Sequence, residues 1–146
     1  MKRFLLFATL CATIIFSNCK KDPDPTPQEL LIGKWKVTTF LFHGINVVKE
    51  TATAKVEFEL EFKTSGEVVF KSINTDLTKT PPKVLTNIVN NMYAWKGDTE
   101  MTITGANGVE TLSVTGPVSV TATNFTFTAT SGNTFEFLEA LVAEKI

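Results

Sequence analysis

Residues 55–63, KVEFELEFK, alternate between apolar and charged side chains without interruption, and no other pattern in the chain constrains the fold more. Successive side chains of a β-strand point to opposite faces, so the apolar residues lie on one face and the charged residues on the other. We predict a strand with one buried and one solvated face. The turn residues at 64–67 lead into a second β segment at residues 68–73, so the two segments are predicted to form a hairpin.

The rest of the chain is predicted to consist of further short β segments separated by turn residues. These segments are residues 31–42, 93–96, 101–104, 109–115, 118–123, 125–130 and 134–141. Gly116-Pro117 is expected to separate two of them, and glycine and asparagine mark several of the other turns. Regular spacing of short strands with such turns is typical of an all-β barrel or sandwich.

One segment in the middle of the chain has a different pattern. The apolar residues that follow Pro81 and Pro82 share one face of a helix: Val84, Leu85, Ile88 and Met92. Proline is tolerated in the first turn of a helix. We therefore predict a short helix over residues 81–91, although three asparagines lower the propensity for helix and strand alike. In a barrel this helix would be the natural lid.

Residues 1–18 have the features of a cleaved signal peptide. Two basic residues precede an apolar stretch at residues 4–16, and small polar residues follow it. The apolar stretch is too short to span a bilayer, which takes about 20 residues. Because Cys11 lies in the signal, Cys19 would be the one cysteine of the exported chain. A lone cysteine in an exported protein suggests intermolecular pairing or a modified thiol.

The motif FSNC, which ends at Cys19, resembles a bacterial lipoprotein signal, and the KKD that follows resembles lipoproteins of the Bacteroidota. The resemblance implies cleavage before Cys19, acyl chains on that residue and a lipid-anchored location in the cell envelope, at the periplasmic or surface face of the outer membrane. Two or more acyl chains convert marginal membrane binding into stable binding. Residues 19–29 would then be a proline-rich, extended tether; their charged run could instead be a sorting signal.

Gly33 and Trp35 lie in LIGKWKVTTF, near the start of the domain predicted at residues 30–146. They resemble the Gly-x-Trp signature that opens the first strand of lipocalins and of lipocalin-like domains in bacterial lipoproteins. The likeness to the lipoprotein domains extends over roughly residues 30–141, whereas no arginine follows Arg3 to stack on the tryptophan as in animal lipocalins. The resemblance implies an antiparallel up-and-down β-barrel of about eight strands. In that family the tryptophan plugs the barrel bottom.

The charge and the residue inventory argue against several function classes. Without the two basic residues of the signal, the number of basic residues falls from 14 to 12 against 15 acidic ones, whereas nucleic-acid binding needs a basic surface. The single histidine, His43, precedes a glycine at a predicted strand end and is expected in a turn. Glu57, Glu59 and Glu61 lie on the solvated face of their strand. We therefore expect no enzyme, no cofactor and no metal site.

Aromatic residues remain as candidates for binding. Phenylalanines occur in pairs two or four residues apart, so each pair points to one side of its strand. The candidate ligand-binding residues are Trp35, Phe58, Phe62, Phe127 and Phe137. An eight-strand barrel is just wide enough either to be filled by side chains or to hold one small ligand. Two hypotheses stay open: a membrane-tethered barrel that binds a small apolar ligand, and a solid barrel that serves as a structural or protein-interaction module of the envelope.

Overall fold

The structure is a computed structural model that describes residues 23–106, 111–132 and 138–146. The predicted signal peptide and Cys19 lie outside the described residues. The remainder is all-β apart from one short helix near its start, which confirms the predicted fold class.

That helix, α1 (Pro27–Leu31), is fixed by its first turn. The Thr26 hydroxyl accepts a hydrogen bond from the amide of Glu29 (3.3 Å), and the Glu29 carboxylate accepts one from the amide of Thr26 (2.8 Å). The pair satisfies two amides that a helix start leaves unpaired. The hydrogen bonds that the Thr26 amide and the Thr26 hydroxyl (3.0 Å) donate to the Glu29 carboxylate lower the pKa of that carboxyl. Residues 27–29, predicted in the extended tether, are helical because of this capping box.

Eleven strands follow among the described residues. They are β1 (Gly33–Phe42), β2 (Ile45–Asn46), β3 (Lys49–Glu50), β4 (Ala54–Phe62), β5 (Glu67–Asp76), β6 (Lys83–Lys96), β7 (Glu100–Ala106), β8 (Thr111–Val120), β9 (Asn124–Thr128), β10 (Ser131–Gly132) and β11 (Leu138–Lys145). Eight of the described strands, β1, β4 to β9 and β11, pair antiparallel in the order β1-β11-β9-β8-β7-β6-β5-β4. Because β1 also pairs with β4, the sheet closes into a barrel.

The alternation at residues 55–63 is present as predicted. β4 turns its apolar residues into the barrel, and β4 and β5 form the predicted hairpin. On the outer face Glu57 lies 3.1 Å from Lys55 and 3.3 Å from Lys36, and Glu59 lies 2.8 Å from Lys71. Such exposed pairs contribute only about 0–1 kcal/mol each to stability. Burial of the apolar inner face therefore contributes more to the stability of the fold than these ion pairs do.

The fully buried side chains lie toward one end of the barrel, where β1 begins and α1 packs; we name it the closed end. Along β4, Leu60 and Phe62 are buried whereas Phe58 is half-buried, and along β5 Val68 is buried whereas Phe70 is half-buried. The buried core comprises Leu31, Trp35, Val37, Leu60, Phe62, Val68, Met101, Ile103, Val114, Val118, Phe125, Phe127, Leu141 and Ala143. Burial therefore decreases toward the opposite end, named the open end.

The predicted helix over residues 81–91 is wrong, because these residues belong to the long strand β6 and to the turn before it. Residues 83–92 pair in continuous register with β5, from Lys83 opposite Asp76 to Met92 opposite Glu67. β5 offers hydrogen-bond partners to the backbone of β6 along this whole stretch. The asparagines have low helix propensity, so the strand is the more stable conformation here. Among the described residues, β6 pairs with β7 from Met92 onward.

The predicted break at Gly116-Pro117 is also wrong, since β8 runs through both residues. A Cβ atom on Gly116 would lie 1.8 Å from the carbonyl oxygen of Thr128. The glycine therefore lets a neighbouring backbone approach inside the sheet instead of ending the strand.

Candidate ligand site at the open end of the barrel

Three phenylalanines from three strands pack together inside the barrel above the buried core. The ring centroid of Phe40 lies 5.1 Å from that of Phe58 and 5.6 Å from that of Phe70, and the centroids of Phe58 and Phe70 are 5.5 Å apart. The interplanar angles of 52–74° are those of edge-to-face and tilted pairs. All three side chains are half-buried. This cluster, the aromatic trio, is thus the partly accessible surface above the core.

The inner wall above the trio combines apolar and hydrogen-bonding side chains. Phe58 of β4 pairs with Ser72 of β5, which pairs with Asn87 of β6. The next row toward the open end is Val56, Asn74 and Leu85. A depression of about 290 Å³ lies at this rim and is lined by Thr53, Ala54, Lys55, Val56, Asn74, Thr75, Asp76, Lys83 and Leu85. That volume is at the lower limit for small-molecule pockets, about 300 Å³.

The closed end forms a solid floor beneath the trio. The Trp35 ring centroid lies 5.9 Å from that of Phe125, which lies 5.3 Å from that of Phe62. The Trp35 Nε1–H donates to the carbonyl oxygen of Leu31 at 2.7 Å, so α1 is fastened over this end. The Lys145 ammonium lies 5.2 Å from the tryptophan ring centroid, within cation–π distance. A ligand entering from the open end would reach the trio before this floor.

The residues predicted to bind ligand are divided between these two regions. Phe58 belongs to the trio, whereas Trp35, Phe62 and Phe127 belong to the floor with exposed fractions of 0%, 1% and 1%. Phe137 lies outside the described residues. Gly33 has a φ of +128°, and a Cβ there would lie 3.3 Å from the Lys145 side chain, so both the backbone and the space at the start of β1 favour glycine.

Sequence reasoning missed Phe70 and did not assign Phe40 to the site. Phe70 follows Val68 at a spacing of two and lies opposite Leu60 in the β4–β5 register. Pairing the two segments of the predicted hairpin residue by residue would have placed Phe70 on the inner face beside the apolar residues of β4.

None of the charged or polar residues that the structure describes is fully buried. His43 has a positive φ of 52° in the turn between β1 and β2, where a turn histidine was predicted. Side-chain hydrogen bonding from Lys55 is the largest effect that lowers the pKa of the Glu57 carboxyl on the outer face. Within the described ranges, no group of three or more histidine, cysteine or acidic residues could hold a metal ion.

No helix within the described part of the chain is long and apolar enough to cross a bilayer. Comparison with models of known protein families gives no match, and comparison with curated proteins gives none either.

Proposed function

We propose that this barrel binds a small, mainly apolar ligand in its open end, against the aromatic trio. The observation that supports the proposal is the division of the interior: a fully buried floor around Trp35 and, above it, three half-buried phenylalanines in edge-to-face and tilted contact. Apolar surface on an inner wall that remains partly accessible gains free energy when a ligand covers it.

The proposed ligand carries at least one hydrogen-bonding group. Ser72 and Asn87 occupy the row beside Phe58, and Asn74 lies one row closer to the rim. Ligand sites typically combine an apolar wall with a few polar groups that fix orientation. A hydroxyl or carbonyl group on the ligand would find partners here, while its apolar part covers the phenylalanine rings.

Titration with the apolar fluorescent dye anilinonaphthalene sulfonate tests the site. We expect Phe58→Ala and Phe70→Ala each to weaken dye binding about tenfold, equivalent to about 1.4 kcal/mol of lost contact. Met92→Ala is the matched control, because Met92 lies on the outer face of β6 and is 53% exposed. Equal affinity in all three variants would contradict the proposal. As a separate measurement, native mass spectrometry of the protein purified without detergent would identify any ligand that co-purifies.

We further propose that the chain is a lipoprotein anchored through Cys19, with its barrel held in the cell envelope and no enzymatic activity. The support is the signal-like composition of residues 1–18 and the FSNC resemblance. Cys19→Ala should abolish labelling with a palmitate analogue and release the protein from membranes. Cys11→Ala is the control and should change neither result. Retention of the Cys19→Ala variant in membranes would refute the anchor and leave the ligand proposal untouched.

The second candidate function is a structural or interaction module of the envelope. The observation that favours it is the row of exposed apolar side chains on β6, with Val84 55%, Ile88 58% and Met92 53% exposed. Crosslinking in intact cells should capture a partner at these residues. A ligand found without any captured partner would favour the first function.

A further inference from the structure

The first part of β6 is a long strand edge without a neighbour among the described residues. Residues 83–91 pair with β5 on one side, and β7 joins the other side only at Met92. Continuing that register places Ala106, the last residue of β7, opposite Asn90. Among the described residues, the stretch of β6 that has no neighbour on this side is therefore residues 83–89, about 23 Å at 3.3 Å per residue.

Apart from Lys83 at its start, this edge lacks the features by which proteins usually protect an edge strand. Such edges commonly carry charges, proline, a bulge or a very short strand. Residues 84–89, VLTNIV, contain no charged residue, proline or glycine, and the β5–β6 register contains no shift. Val84, Leu85 and Ile88 are each more than half exposed. As far as the described residues show, the backbone of this edge is thus available for pairing with another strand.

The side chains of the edge are complementary to themselves. Tyr93 and Trp95 pack against the core, so the odd-numbered residues of β6 face inward and Val84, Thr86 and Ile88 face outward. In an antiparallel pair with a two-fold axis at Thr86, Val84 of each copy lies opposite Ile88 of the other, and Thr86 lies opposite Thr86. Apolar pairs and threonine pairs are both favourable across strands.

We propose that residues 83–89 of β6 pair antiparallel with the same residues of a second copy of this chain, about a two-fold axis at Thr86. An isologous contact needs a surface complementary to itself. The charged residues of the two stretches do not repel one another in this pairing. Lys83 is the one charged residue of the stretch. Its counterpart in the other copy lies six residues along the paired strand, about 20 Å away, beyond the screening length of about 8–10 Å.

The second copy also contributes to the candidate ligand site. In this register Leu85 lies opposite Asn87 of the other copy on the inner face. Leu85 lines the depression at the open end, and Asn87 is, with Ser72, one of the two polar residues in the row of Phe58. Pairing therefore continues the inner wall of each barrel into its partner at the rim, without requiring that a ligand be bound.

Sedimentation equilibrium of the full chain over a concentration series tests the pairing. We expect a monomer–dimer equilibrium for the native chain, at least tenfold weaker association for Thr86→Asp and for Thr86→Lys alone, and dimers again in an equimolar mixture of the two. Like charges meet at the axis in each variant, and opposite charges meet in the mixture. Thr126→Asp and Thr126→Lys are matched controls, because Thr126 is exposed on β9, which pairs on both sides; they should dimerise like the native chain.

Double variants test the register independently should a Thr86 variant fail to fold. Val84→Asp with Ile88→Lys places opposite charges across both pairs and should keep the dimer, whereas Val84→Asp with Ile88→Asp should dissociate it. A native chain that stays monomeric throughout the series, open-ended higher assembly, or a mixture of Thr86 variants that remains monomeric would each overturn the proposal.

Discussion

At the scale of single residues, Tyr93 joins the floor of the barrel to its wall. Its ring meets that of Phe62 edge to face at 5.2 Å, and its hydroxyl donates to the carbonyl oxygen of Lys63 at 2.8 Å. The amide of Tyr93 donates to the carbonyl oxygen of Gly66 at 2.7 Å. One side chain thus fastens β6 to the β4–β5 turn, and its hydroxyl can do so only while it keeps its proton.

Burial raises the pKa of the Tyr93 hydroxyl above its ordinary value of 10.0. A raised folded-state pKa adds stability that is fully present below the unfolded value and is lost as pH rises through the folded value. Because Tyr93 is the single tyrosine, absorbance of the tyrosinate reports it alone. We expect the native protein to titrate at higher pH than the protein in urea. Coincident titration curves would contradict this, and Tyr93→Phe supplies the baseline.

At the scale of elements, β4 and β6 show why sequence reasoning succeeded in one strand and failed in another. In β4 the alternation of charged and apolar residues has no helical equivalent, and the strand was predicted correctly. In β6 the apolar residues at 84, 88 and 92 fit both a spacing of four along a helix and one face of a strand. Pairing with β5 selects the strand. The spacing of apolar residues within the segment carries no information about that pairing.

In β8, too, a distant contact overrides the local pattern. Gly116 was expected in a turn, but it lies within the strand because the backbone of Thr128 packs against it. Gly116→Ala should lower the free energy of unfolding by about 3 kcal/mol or more, because a Cβ cannot share space with a carbonyl oxygen. Gly97→Ala is the control. Its φ is +68° with nothing within 4 Å of an added Cβ, so strain alone should cost about 1–2 kcal/mol. Urea unfolding measures both, and equal losses would show that β8 can move away from Thr128.

At the scale of the whole molecule, closure of the sheet draws one buried core from seven of the eight barrel strands that the structure describes, and β6 packs the partly buried Tyr93 and Trp95 against it. The sequence predicted the all-β class from turn spacing, and the Gly-x-Trp resemblance predicted the barrel. It predicted the site only in part, since aromatic residues on inner faces share the same two-residue spacing whether they lie in the floor or near the rim. How far an aromatic side chain lies from the rim depends on the register of its strand, and whether it is fully buried depends on α1, which covers the closed end.

Leu31 tests whether α1 belongs to this common core, since it is the buried residue of the helix with 0% exposed. Leu31→Ala should lower the free energy of unfolding by about 2–5 kcal/mol. Ile45→Ala, at a position that is 66% exposed, should stay within about 0.5 kcal/mol of the native value. Tryptophan fluorescence and far-ultraviolet circular dichroism should lose their signals together in urea. Early loss of fluorescence alone would mean that the helix detaches before the barrel unfolds.

The bonds that fasten α1 also bring the two ends of the domain together. The Lys145 ammonium donates to the carbonyl oxygen of Leu30 at 2.8 Å, and the amide of Ile146 donates to that of Lys34 at 3.0 Å. A circularly permuted protein, with a short linker between residues 146 and 23 and new termini in the turn at Gly97, should therefore fold. A fusion partner placed before residue 23 or after residue 146 would lie at the closed end, opposite the aromatic trio, and leave access to it unobstructed.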